Sequence, residues 1–588
     1  MNFQKKSFLK KLLYILSREQ KRQLLFLAFF LLIGMLFEIA SLGTFVPALS
    51  IMVDPQFVNK YPKIIPLVKL LGNPNHNQLV LIGITFLLII YILKSLFLVY
   101  LSWRQSRFVA LLSSNLSKRL FVGYLSLPYT FHLQRNSAQL LRNIQTEVNI
   151  FMSVAQSTIF VTLEFSVMFG IALMLLIVEP FGALIISFFI LIFALLFHRF
   201  TKNRLLNWGE ARQFHDGQTN QYLIEGLNGV KELKVFGRED YFINKYNEHN
   251  KKKALIMEKQ GTLQQIPRLY LELLGIISIC GLIFLMISQG KQLNELLPTL
   301  GIFVVGAFRL IPSVNRVMIS IQGLKSGEPV VNVLHDEFVL FNTENHVKSN
   351  VAITFNHSIL FENLSFSYNH EMVTLSDISF KINKGETIGL IGTSGSGKST
   401  LVDILLGLLV PDAGKIKVDD VSMSDFLVSW QSQIGYVPQI IYLIDDTLLK
   451  NIAFGIPESQ IDMTAFEKAL EAAQLTEFVS TLPNGYNTEV GERGVRLSGG
   501  QRQRIGIARA LYHDPNILIL DEATSSLDTI TEEAVMESVN LLQGIKTLII
   551  VAHRYSTLKF CDVIYKLEKG KIVSSGTFDK MINSRKNN

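Results

Sequence analysis

The sequence predicts a two-domain chain, an all-α domain of six membrane spans followed by an α/β phosphate-loop domain. Three observations predict it. Long runs of Phe, Leu and Ile fill roughly the first 325 of the 588 residues, and the rest has the mixed texture of a soluble domain. Lysine and arginine gather on one side of the apolar runs. One glycine-rich loop follows a short apolar strand in the second half. The whole chain is 49% hydrophobic and 18% charged, too apolar for an ordinary soluble protein and too charged for a purely membrane one. Formal net charge is +8; because the excess flanks apolar spans, it points to a bilayer and away from nucleic acid. The two cysteines, Cys280 and Cys561, stand one in each half and offer neither a disulfide framework nor a CxxC motif.

The six apolar segments lie at about 24–51, 79–103, 148–178, 180–199, 268–290 and 296–322. Each is long enough to cross a hydrocarbon layer of roughly 30 Å. The leading tail carries Lys5, Lys6, Lys10, Lys11, Arg18, Lys21 and Arg22, without a small-residue cleavage site, and reads as an uncleaved cytosolic entry. The loop after the fourth segment is richer still, with Arg199, Lys202, Arg204 and three lysines at 251–253, whereas the turn at Glu179–Pro180 has none. Both termini and the two long loops are therefore expected in the cytosol. Those loops, about 104–147 and 200–267, are full of helix formers and read as helices continuing out of the membrane, with tips near Tyr129–Ser137 and Phe214–Leu223. In the first outer loop Ile64, Ile65, Val68 and Leu71 share one helical face, which suits a short amphipathic helix on the membrane surface or packed on the spans. The expected domains are 1–325, a linker at 326–350, and 351–588.

The chemistry begins at "TIGLIGTSGSGKST", residues 387–400. The run Gly392, Thr393, Ser394, Gly395, Ser396, Gly397, Lys398, Ser399 fits GxxxxGK[ST], with a strand before it and a helical stretch from Thr400 after it. Glycines allow a tight loop whose amides face phosphate oxygens, and the helix N-terminus adds its dipole. Lys398 would hold the β- and γ-phosphates of ATP and Ser399 would coordinate Mg²⁺. In "NILILDEATSSLD" a buried-strand pattern ends on Asp521, placed to bind Mg²⁺, and Glu522, placed to polarise the attacking water.

"LSGGQRQR", Leu497–Arg504, resembles the signature of ATP-binding cassette proteins. The remaining pieces are similar to that family: Tyr368 in "FSYNH" stands where an aromatic stacks on adenine, Gln439 in "YVPQ" resembles the Q-loop residue that reaches the metal, Asp528 the D-loop, and His553 in "IIVAHR" the switch histidine. The resemblance implies that Ser498, Gly499, Gly500 and Gln501 of one copy complete the P-loop site of another. With one cassette and six spans, it implies a homodimer of exporter type in a bacterial inner membrane. The membrane half, at "IPRLYLELLG", "AFRLIPSVNRV" and "GLNGVKELKVFGRE", also resembles the PglK-type flippases of polyprenyl-pyrophosphate-linked oligosaccharides, nearly end to end and including the lengthened first outer loop. That implies an anionic lipid-linked glycan as substrate; the alternative is export of drugs, peptides or another lipid.

Charge inside the spans bears on the cargo. Arg309 and Arg316 lie one near-repeat apart on the sixth segment, roughly 20 and 30 Å below its outer edge; Lys94 lies about 22 Å deep on the second, and Arg268 near the inner edge of the fifth. Arg309 has no acidic neighbour in its own segment, so these four are candidates to meet an anionic headgroup. Other readings stay open: Arg268 can pair with Glu272 at i,i+4, Arg316 can snorkel to inner headgroups, and Lys94 can pair with Glu38 or Glu164.

Overall fold

The computed structural model describes residues 7–53, 72, 74–178, 180–288, 293–343, 353–368, 373–491, 494–523 and 529–586. The expected outer helix (Ile64, Ile65, Val68, Leu71) and Asp528 lie outside these. The chain divides into two compact units, one of Met1–Leu127 and His132–Asn345, the other of Pro128–Phe131 and His346–Asn588.

The first unit is all helix. Its main elements are α1 (Phe8–Ile15), α2 (Arg18–Val53), α3 (His76–Ser126), α4 (Val148–Val178), α5 (Pro180–Asn228), α6 (Glu239–Ser288), α7 (Leu293–Ser326) and α8 (Glu328–Thr343). Among the described residues three stretches are long and apolar enough to cross a membrane: Arg18–Ser41, His76–Ser126 and Ser137–Leu173. The other three expected spans fall on α5, α6 and α7, which include side chains outside the described set. Helices do continue past the apolar runs, as their composition predicts: α3, α5 and α6 have 51, 49 and 50 residues. The first tip falls where expected, since α3 ends at Ser126 and a new helix begins at Tyr129. The second does not. α5 runs through Phe214–Leu223, and the chain turns instead around a short helix at Val230–Phe236, closed by Gly237 in the left-handed region at φ 59°. Polar residues at 214–223 do not break a helix; a glycine able to take positive φ at its C-terminus does.

The segment expected as a linker is largely structured. In α8, Val330, Val331, Leu334 and Phe338 are buried within the first unit. Lys11 Nζ donates to Asn332 Oδ1 at 2.8 Å, and Arg119 lies over the Phe338 ring at 4.3 Å while donating to the Ile15 carbonyl at 2.7 Å. An apolar stripe of Val, Leu and Phe with helical period was the overlooked signal.

The second unit holds a four-stranded antiparallel sheet and a six-stranded, mostly parallel one. Strands β1 (Ser358–Ser367), β2 (Val373–Asn383), β4 (Ala413–Val418) and β5 (Val421–Ser422) form the first, in the order β2-β1-β4-β5. The second has the order β10-β9-β3-β8-β7-β6, from β3 (Thr387–Gly392), β6 (Ile434–Val437), β7 (Ile517–Asp521), β8 (Thr547–Ala552), β9 (Val563–Glu568) and β10 (Lys571–Gly576). Every residue of β7 and β8 is buried, the near-continuous apolar pattern of a parallel strand covered on both faces. Ile388, Leu390, Ile517 and Ile519 enter one core, and Ile391, Leu518, Leu520 and Leu548 the other. Because β3, β6, β7 and β8 are parallel neighbours, with Ile391 opposite Ala552, Asp521 opposite Val551 and Val437 opposite Leu520, the loops that follow all four leave by one edge. That edge is where ligands meet open α/β sheets.

Candidate nucleotide site and the charges of the membrane unit

The loop after β3 leads into α9 (Lys398–Leu405). Gly397, at φ 103°, gives it a conformation no L side chain takes readily, and a Cβ there would lie 2.6 Å from Leu375. Lys398 is 5% exposed, and its ammonium donates to the carbonyls of Gly392 at 2.9 Å and Thr393 at 3.1 Å. Burial pushes its pKa down, against the pull of Glu522 and Asp521. Ser396 is buried and its hydroxyl has no hydrogen-bond partner among the described residues. A buried cation held only by carbonyls, beside an unmatched hydroxyl in a glycine loop at a helix N-terminus, fits an anion of the phosphate kind.

Asp521 closes β7 at 7% exposure, and burial, with the adjoining Glu522 charge, pushes its carboxyl up. A divalent cation is what relieves such a carboxylate, so Asp521 with Ser399 fits Mg²⁺. Glu522 itself stands at φ 51°, in the left-handed region, with its amide donating to the Val551 carbonyl at 3.0 Å. Non-glycine residues held there cost about 1–3 kcal/mol and gather at functional sites. The twist presents the carboxylate to two groups at once. Gln439 Nε2 donates to Glu522 Oε2 at 2.6 Å, and His553 Nε2 is within hydrogen-bonding reach of Glu522 Oε1. Residues 439, 522 and 553, far apart in sequence, thus converge through strand order alone.

The other expected ATP contacts are well formed locally. The Tyr368 ring, just past β1, is 45% exposed, packs edge-on against Phe366, and its hydroxyl lies 3.3 Å from Thr400 Oγ1. Ser498 caps α10 (Gly499–Leu511): its hydroxyl accepts from the Gln501 amide at 3.2 Å and its own amide donates to Gln501 Oε1 at 2.9 Å, a capping box that leaves Ser498 exposed and Gly499 and Gly500 half-buried. Two residues were not picked out from the sequence. Asp403 on α9 is pushed up to about 6 by burial and then by Asp521, and Tyr436 on β6 is pushed up by burial and by the same carboxylates. A lone carboxylate in the apolar "TLVDILLGLL" was the available signal for Asp403.

A stability prediction follows. Asp403 holds its proton more tightly folded than unfolded, so its contribution favours folding at low pH and is lost as pH rises through about 6. Asp403→Asn is expected to raise the thermal midpoint of the nucleotide-free protein at pH 7.5, with a smaller gain at pH 5. A gain independent of pH would contradict this.

In the membrane unit the pairings the sequence left open for Arg268 with Glu272 and Lys94 with Glu38 are formed, and Arg309 and Arg316 are paired as well. Arg309 Nη2 meets Glu38 Oε1 at 2.6 Å, Lys94 Nζ meets Glu38 Oε2 at 2.7 Å, Arg316 Nε meets Glu164 Oε1 at 2.6 Å, and Arg268 Nε meets Glu272 Oε1 at 2.9 Å. Glu38 and Glu164 are each 4% exposed. All four headgroup candidates therefore have carboxylate partners. Segment six lacks an acid, but α2 and α4, packed beside it, supply one each. The absence of an acidic neighbour in Arg309's own helix was a property of the sequence, not of the bundle.

Comparison with known proteins agrees with this architecture. Residues 21–304 match the family model described as ABC transporter transmembrane region, and residues 375–525 that described as ABC transporter. An ATP-dependent lipid A-core flippase of Ralstonia nicotianae is 31% identical over 80% of this chain and 79% of its own length. That of Nitrosococcus oceani is 30% identical over 82% and 80%, and that of Burkholderia pseudomallei 36% over 63% and 62%. The solved structure of a bacterial Atm1-family ABC exporter with ATP bound shares the fold, with a TM-score of 0.79, 23% identity and 96% of both chains covered. These relatives are lipid A-core flippases, so the narrower likeness to oligosaccharide flippases gives way to the broader one. With a transmembrane region followed by an ATP-hydrolysing, Mg²⁺-dependent cassette, this multi-pass inner-membrane protein belongs to the ABC transporter family as a half-transporter of exporter-type fold.

Proposed function

We propose that the chain, with six spans per copy, works as a homodimer that uses ATP to move an amphipathic glycolipid from the inner to the outer leaflet. The observation that carries the reading is the likeness, over about four-fifths of the chain, to flippases of lipid A-core. An apolar cavity of about 750 Å³ in the membrane unit supports it, lined by Phe165 and Phe169 of α4, Leu195 and Phe197 of α5, and Val314 and Met318 of α7. Such walls suit an acyl chain. Arg309, Lys94 and Arg316 are engaged by Glu38 and Glu164, so these cations do not single out a pyrophosphate-linked oligosaccharide over another anionic lipid, and the likeness to lipid A-core flippases decides between them. The lipid reading of the alternative is therefore the better supported.

In the motor, Lys398 and the loop amides bind the phosphates of ATP, and Tyr368 stacks on adenine. Ser399, Asp521 and Gln439 would hold Mg²⁺, which would supply charge neutralisation to the phosphates. Glu522 orients and polarises the attacking water, and His553 and Gln439 position the Glu522 carboxylate. Ser498, Gly499, Gly500 and Gln501 of a second copy close the site over the γ-phosphate. Closure is strong while that phosphate is bound and weak afterwards, which gives the dimer two states.

In nanodiscs, lipid A-core is expected to stimulate ATP hydrolysis severalfold. Stimulation by an apolar drug with no response to any glycolipid would instead place the chain among drug exporters.

A further inference from the structure

The deep cations are each paired with a carboxylate, but a second group of arginines is not. Arg22 on α2 and Arg104 and Arg107 on α3 line one open cavity of about 860 Å³, together with Phe26, Phe30 and Glu19. Among the described residues no carboxylate pairs with any of the three arginines; Glu19, the single acid in the cavity, takes a 3.4 Å contact from Gln23. Their neighbours are aromatic instead. Arg104 lies 5.5 Å from the Phe26 ring centroid, 5.7 Å from Tyr100 and 5.9 Å from Trp103, and its Nε donates to the Tyr100 hydroxyl at 3.0 Å. Arg107 lies 5.4 Å from the Trp103 ring. Ring faces orient a guanidinium without cancelling its charge.

The level in the membrane matters as much as the charge. Arg22 immediately precedes the apolar run of α2, and Arg104 and Arg107 immediately follow that of α3. By the lysine and arginine distribution both points lie at the cytosolic interface, where Trp and Tyr also concentrate. From there the cavity passes to Phe26 and Phe30, and Leu25 at its edge is 72% exposed. One end offers planar donors matched to phosphate oxygens; the other offers an apolar wall open toward hydrocarbon.

We infer that this groove binds an anionic phospholipid of the inner leaflet, its phosphate held by Arg22, Arg104 and Arg107 and its chains laid against Phe26 and Phe30. Three cations against one carboxylate favour a lipid with two phosphates over one with a single phosphate. A free phosphate would leave the apolar end uncovered. The site is separate from the cavity between α4, α5 and α7, and the inference rests on the membrane orientation rather than on which lipid is transported.

The test is native mass spectrometry of the delipidated full-length protein titrated with cardiolipin, phosphatidylglycerol and phosphatidylcholine. Cardiolipin is expected to bind tightest and phosphatidylcholine weakest. Arg104→Gln with Arg107→Gln is expected to weaken cardiolipin binding by about tenfold or more and leave phosphatidylcholine unchanged. Glu19→Gln, which removes the opposing charge, is expected to tighten cardiolipin binding, and this arm decides the matter if the double variant does not fold. Equal binding of the three lipids by the unaltered protein, or undiminished cardiolipin binding by the double variant, would overturn the inference. So would displacement of cardiolipin by an equal concentration of lipid A-core, which would make the groove an entry point for the transported lipid. Loss of lipid A-core-stimulated ATP hydrolysis without change in cardiolipin binding would count against the transport reading alone.

Discussion

Glu522→Gln is expected to lower ATP turnover by about 10²- to 10⁴-fold, the range that a positioned general base contributes, and to accumulate an ATP-bound closed dimer. Glutamine keeps the shape and one acceptor oxygen, so the contact from Gln439, now 2.6 Å from the carboxylate, can persist. The charge that polarises water cannot. Steady-state phosphate release together with a size measurement in ATP and Mg²⁺ checks both halves. Near-normal turnover would mean that the base lies elsewhere. His553→Ala, by contrast, removes a group that holds Glu522 Oε1 rather than the base itself, so its loss should be smaller.

The second large effect concerns stability, and its asymmetry is the informative part. Glu38 holds both Arg309 and Lys94, so Glu38→Ala strands two cations in the bundle and is expected to cost about 3–5 kcal/mol, the usual penalty for breaking a buried pair. Arg309→Ala leaves Lys94 on Glu38 and should cost much less. The other pair is expected to behave the opposite way. Glu164 is buried while the Arg316 side chain is 41% exposed, so Arg316→Ala strands the buried partner, whereas Glu164→Ala leaves an arginine that can reach water. Thermal inactivation midpoints of the four variants in one detergent rank them. If Arg309→Ala and Arg316→Ala both abolish transport at full stability, the arginines bind cargo and are not structural.

The second unit was legible in the sequence because its chemistry is carried by local motifs. Gly397, Lys398, Asp521 and Glu522 each announce a backbone conformation or a strand end, and parallel sheet order does the rest. What could not be read were relations between distant segments. Glu38 and Arg309 stand 271 residues apart, and nothing in either helix names the other. The same holds for Asp403, whose raised pKa comes from burial and from Asp521 across the sheet edge. The turn expected at Phe214–Leu223 lies at Gly229–Arg238, where Gly237 takes a positive φ that ends the short helix. Within the 326–350 region, expected as a linker, Val, Leu and Phe at helical spacing form α8 over Glu328–Thr343. A deep arginine signals that an anion is near, and a buried glutamate answers that need as well as a lipid phosphate does.

The central claim is that ATP hydrolysis in this chain drives an amphipathic glycolipid across the bilayer. Its most direct test is proteoliposomes holding purified protein and fluorescent lipid A-core, with translocation read by protection from a membrane-impermeant quencher. The account predicts lipid movement that needs ATP and Mg²⁺ and stops with Glu522→Gln. Movement unaffected by that substitution, or ATP hydrolysis with no movement of lipid A-core or any other glycolipid, would contradict it.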